Sequence, residues 1–472
     1  MVFKRYFFFL FILCNLFGGC IPTDPSPFSV PSTSETINQL SSARAIVSND
    51  PNAIYHDVQS ALNAGEINIL VKNGVYYVND TIQVSADNVF IEGESATGAV
   101  IIQQSMGKDL LAISGNNVMI KNLTLDTQSF QAQAAVVEQG VSGLTIEGNI
   151  IYGGGNTFTV FFAGPSSVTA GLQTLMAYRD NHLSNNNKFI NNTVTCDTTF
   201  TGDAVSFSLQ SNGIVSDNRL NGCMLAVYMT RDSQVKGNLI EHSPNHSIYV
   251  SLPTENLIVS DNKLIDSTYS GINITPQGEH PYHSINSNNI LISDNLIVAN
   301  FNGIGIDGFR NNFQITSSED ESFSEDGLLK NVKVESNEIS IPDYVGIYVI
   351  KSDLVDLINN KINFRDCDIA SRQIIYATTT YPSSASSGIS LELLVRAANV
   401  QGNNIQKLKS CMFSEVAYSA VSIGLDSVSD STVANNNFAN FFDQWKIGTN
   451  GIYVNQNAQN IQIGQNINYE TP

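Results

Sequence analysis

The sequence predicts an all-β chain wound as a single-stranded parallel β-helix, a solenoid of short coils. Three observations predict it. Of 472 residues, 54 are Asn and 33 are Gly, both poor helix formers. A short motif with Asn in phase with apolar neighbours recurs ten times. Between its copies lies a segment with period-2 alternation and no helical period, the mark of a strand.

The motif is apolar, two residues, Asn, one residue, apolar. It first spans residues 146–151 around Asn149 and recurs around Asn192, Asn218, Asn238, Asn262, Asn295, Asn337, Asn360, Asn403 and Asn436, with a looser copy at Asn466. Spacing runs from 20 to 43 residues, so the unit is short and tolerates insertions. The alternating line includes residues 204–208, 226–230, 247–251, 271–275, 303–307, 346–350 and 388–392. Two short strands per repeat describe one coil of a parallel β-helix. Equivalent residues of successive coils then stack about 4.7–4.9 Å apart. An Asn at the bend bonds to its counterpart on the next coil, satisfies turn amides and tolerates left-handed backbone angles.

The N-terminal part agrees. Residues 54–63 read as a short amphipathic helix, and residues 67–78, 82–84 and 89–93 as first strands. With these segments the chain resembles the right-handed parallel β-helix superfamily, the pectin-lyase-like fold, over about residues 50–468. The resemblance implies right-handed coils and a helix that caps the open end of the core. It implies fold more than activity, because one fold hosts many chemistries. The G-D-D, G-H-G and R-I-K stretches of polygalacturonases are absent. So are the W-x-D-H of pectate lyases and the D-P-H-D of alginate epimerases; the single Trp is Trp445.

The first 20 residues read as an export signal. Lys4 and Arg5 precede a short apolar run, and Leu16 to Cys20 resembles a bacterial lipobox with Cys20 as the lipidated residue. An ordinary secretory signal cut near Gly18 or Gly19 is the alternative. Residues 21–45 have the Pro/Ser/Thr composition of a flexible linker. The expected organisation is a signal at 1–20, a linker at 21–45, a cap and first coils at 46–110 and the β-helix at 111–472. An extracytoplasmic monomer is expected, held by a lipid at the outer membrane or cell surface, or secreted.

Composition removes several function classes. The hydrophobic share of 42% is too high for disorder. The net charge of −20 argues against nucleic acid as a partner, and it falls to −22 once Lys4 and Arg5 leave with the signal. Such a field also repels polyuronates at long range.

Beyond the signal there are four cysteines. Cys196 and Cys223 lie at nearly the same phase of successive coils, as do Cys367 and Cys411. Each pair is a candidate disulfide; stacked apolar side chains are the alternative.

Chemistry-bearing residues concentrate between positions 203 and 351, where four of the six His lie. Outward positions of the alternating line form columns. One reads Ser206, Tyr228, Tyr249, Asn273, Gly305 and Tyr348, the next Ser208, Thr230, Ser251, Thr275, Asp307 and Ile350. Tyr228 and Tyr249 are candidate sugar platforms, since a pyranose face packs on an aromatic face. Arg231, Arg310 and Lys351 are candidate cations for a substrate carboxylate, and His280, His283 or Tyr249 a candidate base. Asp307 with Glu279 or Asp232 is a candidate carboxylate pair for hydrolysis. Asp261 and Asp294 could share a calcium ion; no other cofactor is expected, and no Cys/His spacing suggests a metal site. The expected partner is a polysaccharide or surface glycan. The expected function is a β-helix that binds and cleaves it as a lyase or glycoside hydrolase, with a non-catalytic adhesin or glycan-binding scaffold as the alternative.

Overall fold

The structure is a computed structural model. It describes residues 44–127, 134–153, 158–164, 181–197, 203–276, 287–307, 329–341, 345–364, 387–392, 395–407, 421–425, 428–438, 452–454 and 458–466. All described residues belong to one compact unit within residues 43–472.

The described strands pair in parallel and build three long sheets of 17, 12 and 13 strands. A coil therefore has three strands, where the repeat alone suggested two. The physical reason lies in the Asn motif, which is a bend between two strands. Ile214–Ser216 precedes the bend at Asn218, Arg219–Asn221 follows it, and Met224–Tyr228 is the alternating line. These strands belong to the first, second and third sheets. Inward residues of all three fill one continuous apolar core, as Val215, Leu220 and Leu225 show, each at 0% exposure.

Asn149 through Asn466 form an unbroken side-chain ladder. Each Nδ2 donates to the Oδ1 of the next Asn at 2.9–3.2 Å. That Oδ1 also accepts the backbone N–H of the Asn before it. The polar interior of each bend is thus satisfied without water. The left-handed residue is not the ladder Asn but the one before it. Gly148, Asn191, Asp217, Gly237, Asp261, Asp294, Ser336, Asn359, Gly402 and Asn435 have φ between 55° and 67°. Hence the recurring Asp-Asn, Gly-Asn and Asn-Asn pairs: the first residue takes the left-handed turn and the second bonds along the axis.

The N-terminal helix is Val58–Asn63, shorter than the sequence suggested. Asp57 caps it by accepting the Ser60 N–H at 2.6 Å. Val58 and Ala61 pack into the core, while Ile54 is 85% exposed. Cys196 and Cys223 form a disulfide across adjacent coils, with Cα atoms 5.8 Å apart. Cys20, Cys367 and Cys411 lie outside the described residues. Among the described residues no helix is long and apolar enough to cross a membrane.

Candidate active site

The outward face of the third sheet carries the site. Its strands Asp203–Ser208, Met224–Tyr228, Ile248–Leu252, Ile272–Pro276, Ile304–Asp307 and Val345–Ile350 are successive neighbours. The first column is Ser206, Ala226, Tyr249, Asn273, Gly305 and Tyr348. Tyr228 stands one column over, between Ser208 and Ser251. The sequence placed it on the right face but two residues off register, and Thr230 falls beyond the strand. The inward pair on that strand is Leu225 and Val227, so the alternation starts earlier than Ala226.

A one-residue irregularity sets the facing of Asp203. Asp203 pairs with Met224 and Val205 with Leu225, so Ala204 is an extra residue in its strand. By alternation Asp203 would share the inward side with Val205 and Phe207. The bulge returns it to the outward side, opposite Met224. There its Oδ2 accepts the Tyr228 hydroxyl at 2.9 Å. Met224 is four residues before Tyr228, so the Tyr228 ring lies back along its own strand. Ala226 and Ser206 beneath it are both at 0% exposure.

The Asp203 carboxyl is 5% exposed. Burial pushes its pKa up to about 7, and the Tyr228 hydrogen bond only partly opposes this. Tyr228 is pushed well above the ordinary phenol range by burial and by the Asp203 charge and hydrogen bond. The Tyr228 and Tyr249 rings are 5.8 Å apart between centroids. Burial, with Asp203 and Asp307 nearby, raises Tyr249 to about 12. The His246 ring stacks on Tyr249 at 5.9 Å and meets Tyr269 at 6.0 Å. Burial lowers His246 to about 4, so the ring is neutral near pH 7. The Ser270 N–H donates to its Nδ1 at 3.3 Å, which leaves the proton on Nε2.

Two residues nominated from the sequence, Tyr228 and Tyr249, therefore meet here, joined by Asp203, His246 and Tyr269. Asp307 ends a strand two steps past Tyr249 and is 7% exposed. Asp203 lies four steps from Asp307, or about 19 Å at strand spacing. That exceeds the roughly 5–9.5 Å of a glycosidase carboxylate pair.

The other nominees are placed elsewhere. Arg231 sits on the turn into the first sheet, with Nε 3.2 Å from Glu255 Oε2 and Nη1 donating to Asn181 Oδ1 at 3.0 Å. Its charge is thus already matched by an acid. Asp232 heads an outer row of left-handed turn residues, accepting Asn256 Nδ2 at 2.7 Å, with Asn289 and Asn331 following. His242, another histidine of the 203–351 stretch, is on a different turn, 3.1 Å from Asp266. Lys351 is a left-handed turn residue just past Val345–Ile350. Glu279, His280, His283 and Arg310 lie outside the described residues.

Asp261 and Asp294, the nominated calcium pair, lie on the bends beside the Asn ladder. Both are left-handed turn residues, and Asp261 Oδ2 is 3.6 Å from the Lys236 ammonium. Among the described residues no group of three or more His, Cys, Asp or Glu is placed to hold a metal.

Asp203 and its role were not nominated from the sequence. The available signal was an acid at an inward position of an alternating strand, a local conflict that marks functional sites.

No protein-family model matches the chain, and no curated protein matches it in sequence. Solved structures do resemble it. The A-module of Azotobacter vinelandii mannuronan C-5 epimerase AlgE6 is 13% identical, with 88% of this chain and 96% of that one covered and a TM-score of 0.55. The AlgE4 A-module of the same organism is 14% identical, with 87% and 96% covered and a TM-score of 0.51. At such identities the likeness shows fold alone: the chain is a right-handed parallel β-helix.

Proposed function

We propose that this chain is an exported polysaccharide-processing β-helix. It binds a glycan across the outward face of the third sheet and acts on it by general acid chemistry from Asp203. One observation carries the reading: a bulge turns Asp203 out of the core into a buried outward position, where its pKa is raised to about 7. Re-aiming a buried acid has a stability cost and contributes nothing to packing, as expected of a functional group. A carboxyl of that pKa still holds its proton near neutrality, the property required to protonate a departing glycosidic oxygen. Tyr228 fixes its orientation, and Tyr249 with the His246 ring offers an aromatic surface for a sugar face.

Hydrolysis, in which Asp203 protonates the departing oxygen while water bonds to the anomeric carbon and gives its proton to solvent, fits better than uronate elimination. Elimination needs a cation beside the substrate carboxylate, and Arg231, one of the three nominated cations, faces Glu255. The net charge of −20 also disfavours an anionic chain. Lipidation at Cys20 would tether the domain to a membrane surface.

The test is a screen of the purified chain on alginate, polygalacturonate, dextran and laminarin. Reducing ends report hydrolysis, and ultraviolet absorbance of an unsaturated sugar reports elimination. The reading expects reducing ends without that absorbance, lost in Asp203→Asn. Binding without turnover would favour the glycan-binding scaffold.

A further inference from the structure

Asp203 faces outward yet is kept from water, and the strand on the coil before it shows how. Phe158–Phe162 pairs with the Asp203 strand so that Phe158 meets Asp203 and Phe161 meets Ser206. Directly paired residues of parallel strands point to the same side of the sheet, one strand spacing or about 4.8 Å apart. Val160 and Phe162 are core residues at 0% exposure, so alternation alone would send Phe158 inward with them. It does not go there. Thr159 is also 0% exposed, with its hydroxyl 3.7 Å from Cys196 Sγ. The Phe158 ring stacks on that of outward Phe161, with centroids 4.4 Å apart and planes 14° apart. Thr159 therefore does on this coil what Ala204 does on the next: it turns the first residue of its strand to the outward face. Asp203 then has Phe158 on one side and Met224, 6% exposed, on the other.

We infer that Phe158, held by Phe161, is a positioning residue that keeps solvent from the Asp203 carboxyl and so sets the pH at which that acid releases its proton. A phenyl ring beside a carboxyl displaces the water that would stabilise its charge and offers no hydrogen bond in exchange. Burial is the leading cause that holds Asp203 protonated, and the side chains flanking it along the sheet are these two apolar ones. The titratable groups that face it are Tyr228, through its hydrogen bond, and Tyr249, which feels its charge. Neither is a cation. The Phe158 strand adds no titratable group, since its five residues are Phe, Thr, Val, Phe and Phe. The two rings are half-buried on the outward face, so the core does not need them there. The catalytic consequence rests on the reading of Asp203 as a general acid; the exclusion of water does not.

The test is a pH titration of the Asp203 carboxyl band by isotope-edited infrared spectroscopy, on the full purified chain without substrate. The band is assigned by its loss in Asp203→Asn. Phe158→Ala is expected to lower the midpoint by about one unit. Phe158→Leu, which keeps apolar bulk beside the carboxyl, is expected to leave it near the wild-type value. Phe161→Ala, which frees the Phe158 ring, is expected to lower it by a smaller step. In Phe158→Ala the fall of kcat/KM with rising pH should move down by the same amount as the midpoint. An unmoved midpoint in folded Phe158→Ala, or in Phe161→Ala should the first variant not fold, would overturn the inference. So would a Phe158→Leu midpoint displaced as far as that of Phe158→Ala. A midpoint that moves as expected in a chain that processes no glycan would leave the inference standing and overturn the general-acid reading. An unmoved midpoint, with activity lost in Asp203→Asn, would overturn the inference alone.

Discussion

The Tyr228 hydroxyl donates to Asp203 Oδ2 at 2.9 Å across 25 residues of sequence. The contact exists because two irregular events coincide. The bulge at Ala204 brings Asp203 outward, and the small residues Ala226 and Ser206 leave room for the tyrosine ring to lie back along its strand. The pair joins the same two coils as the Cys196–Cys223 disulfide.

Asp203→Asn should stabilise the fold in a pH-dependent way. The Asp203 pKa is about 7 in the fold against an ordinary 3.8 for an aspartate. The folded state binds the proton more tightly, so the stability cost grows as pH rises from about 4 to 7 and is complete above 7. At about 1.4 kcal/mol per unit the ceiling is about 4 kcal/mol. Denaturant titrations should show the variant more stable at pH 8, with the difference gone near pH 4.

Tyr228→Phe should raise the Asp203 pKa further, because the phenol hydrogen bond holds it down. Isotope-edited infrared spectroscopy of the carboxyl band should show the midpoint moving up by a measurable fraction of a unit. A downward shift would mean that the phenol does not favour the ionised form.

The ladder should be stability-critical and the outer row should not. Asn238 makes four side-chain hydrogen bonds and is 1% exposed. Asn238→Ala leaves buried partners unsatisfied and should cost about 3 kcal/mol or more. Asn256→Gly keeps the left-handed turn of the outer row and should cost no more than about 1 kcal/mol. Urea unfolding compares the two.

The Cys196–Cys223 disulfide closes a sequence separation of 27 residues. Chain-entropy arguments give such a loop about 3.5 kcal/mol. Cys196→Ser with Cys223→Ser should lower stability by up to that amount, as read by thermal melting under oxidising conditions.

What the sequence reveals follows from periodicity. Asn218, Asn238 and Asn262 recur in phase with core residues, so the ladder and the solenoid are legible. Tyr249, Asn273, Gly305 and Tyr348 stack as alternation suggests because their strands have no irregularity between them. Tyr228 escapes the same reasoning because its strand begins its alternation at Leu225 and not at Val227, and Asp203 escapes it because a single extra residue reverses which side the acid faces. Arg231 and Asp232 look functional in the chain only because their partners, Glu255 and Asn256, come from the next coil. The left-handed role of Asp261 and Asp294 belongs to backbone geometry, and in sequence it looks the same as an acidic ligand pair.

The most direct test of the account is the pH dependence of reducing-end release from a neutral glucan by wild type and by Asp203→Asn. The account predicts that wild-type kcat/KM falls as pH rises through about 7, following protonated Asp203. The variant should lose about a hundredfold or more while remaining folded. A variant with the wild-type rate and pH profile, or a wild type that releases nothing from any glycan it binds, would contradict it.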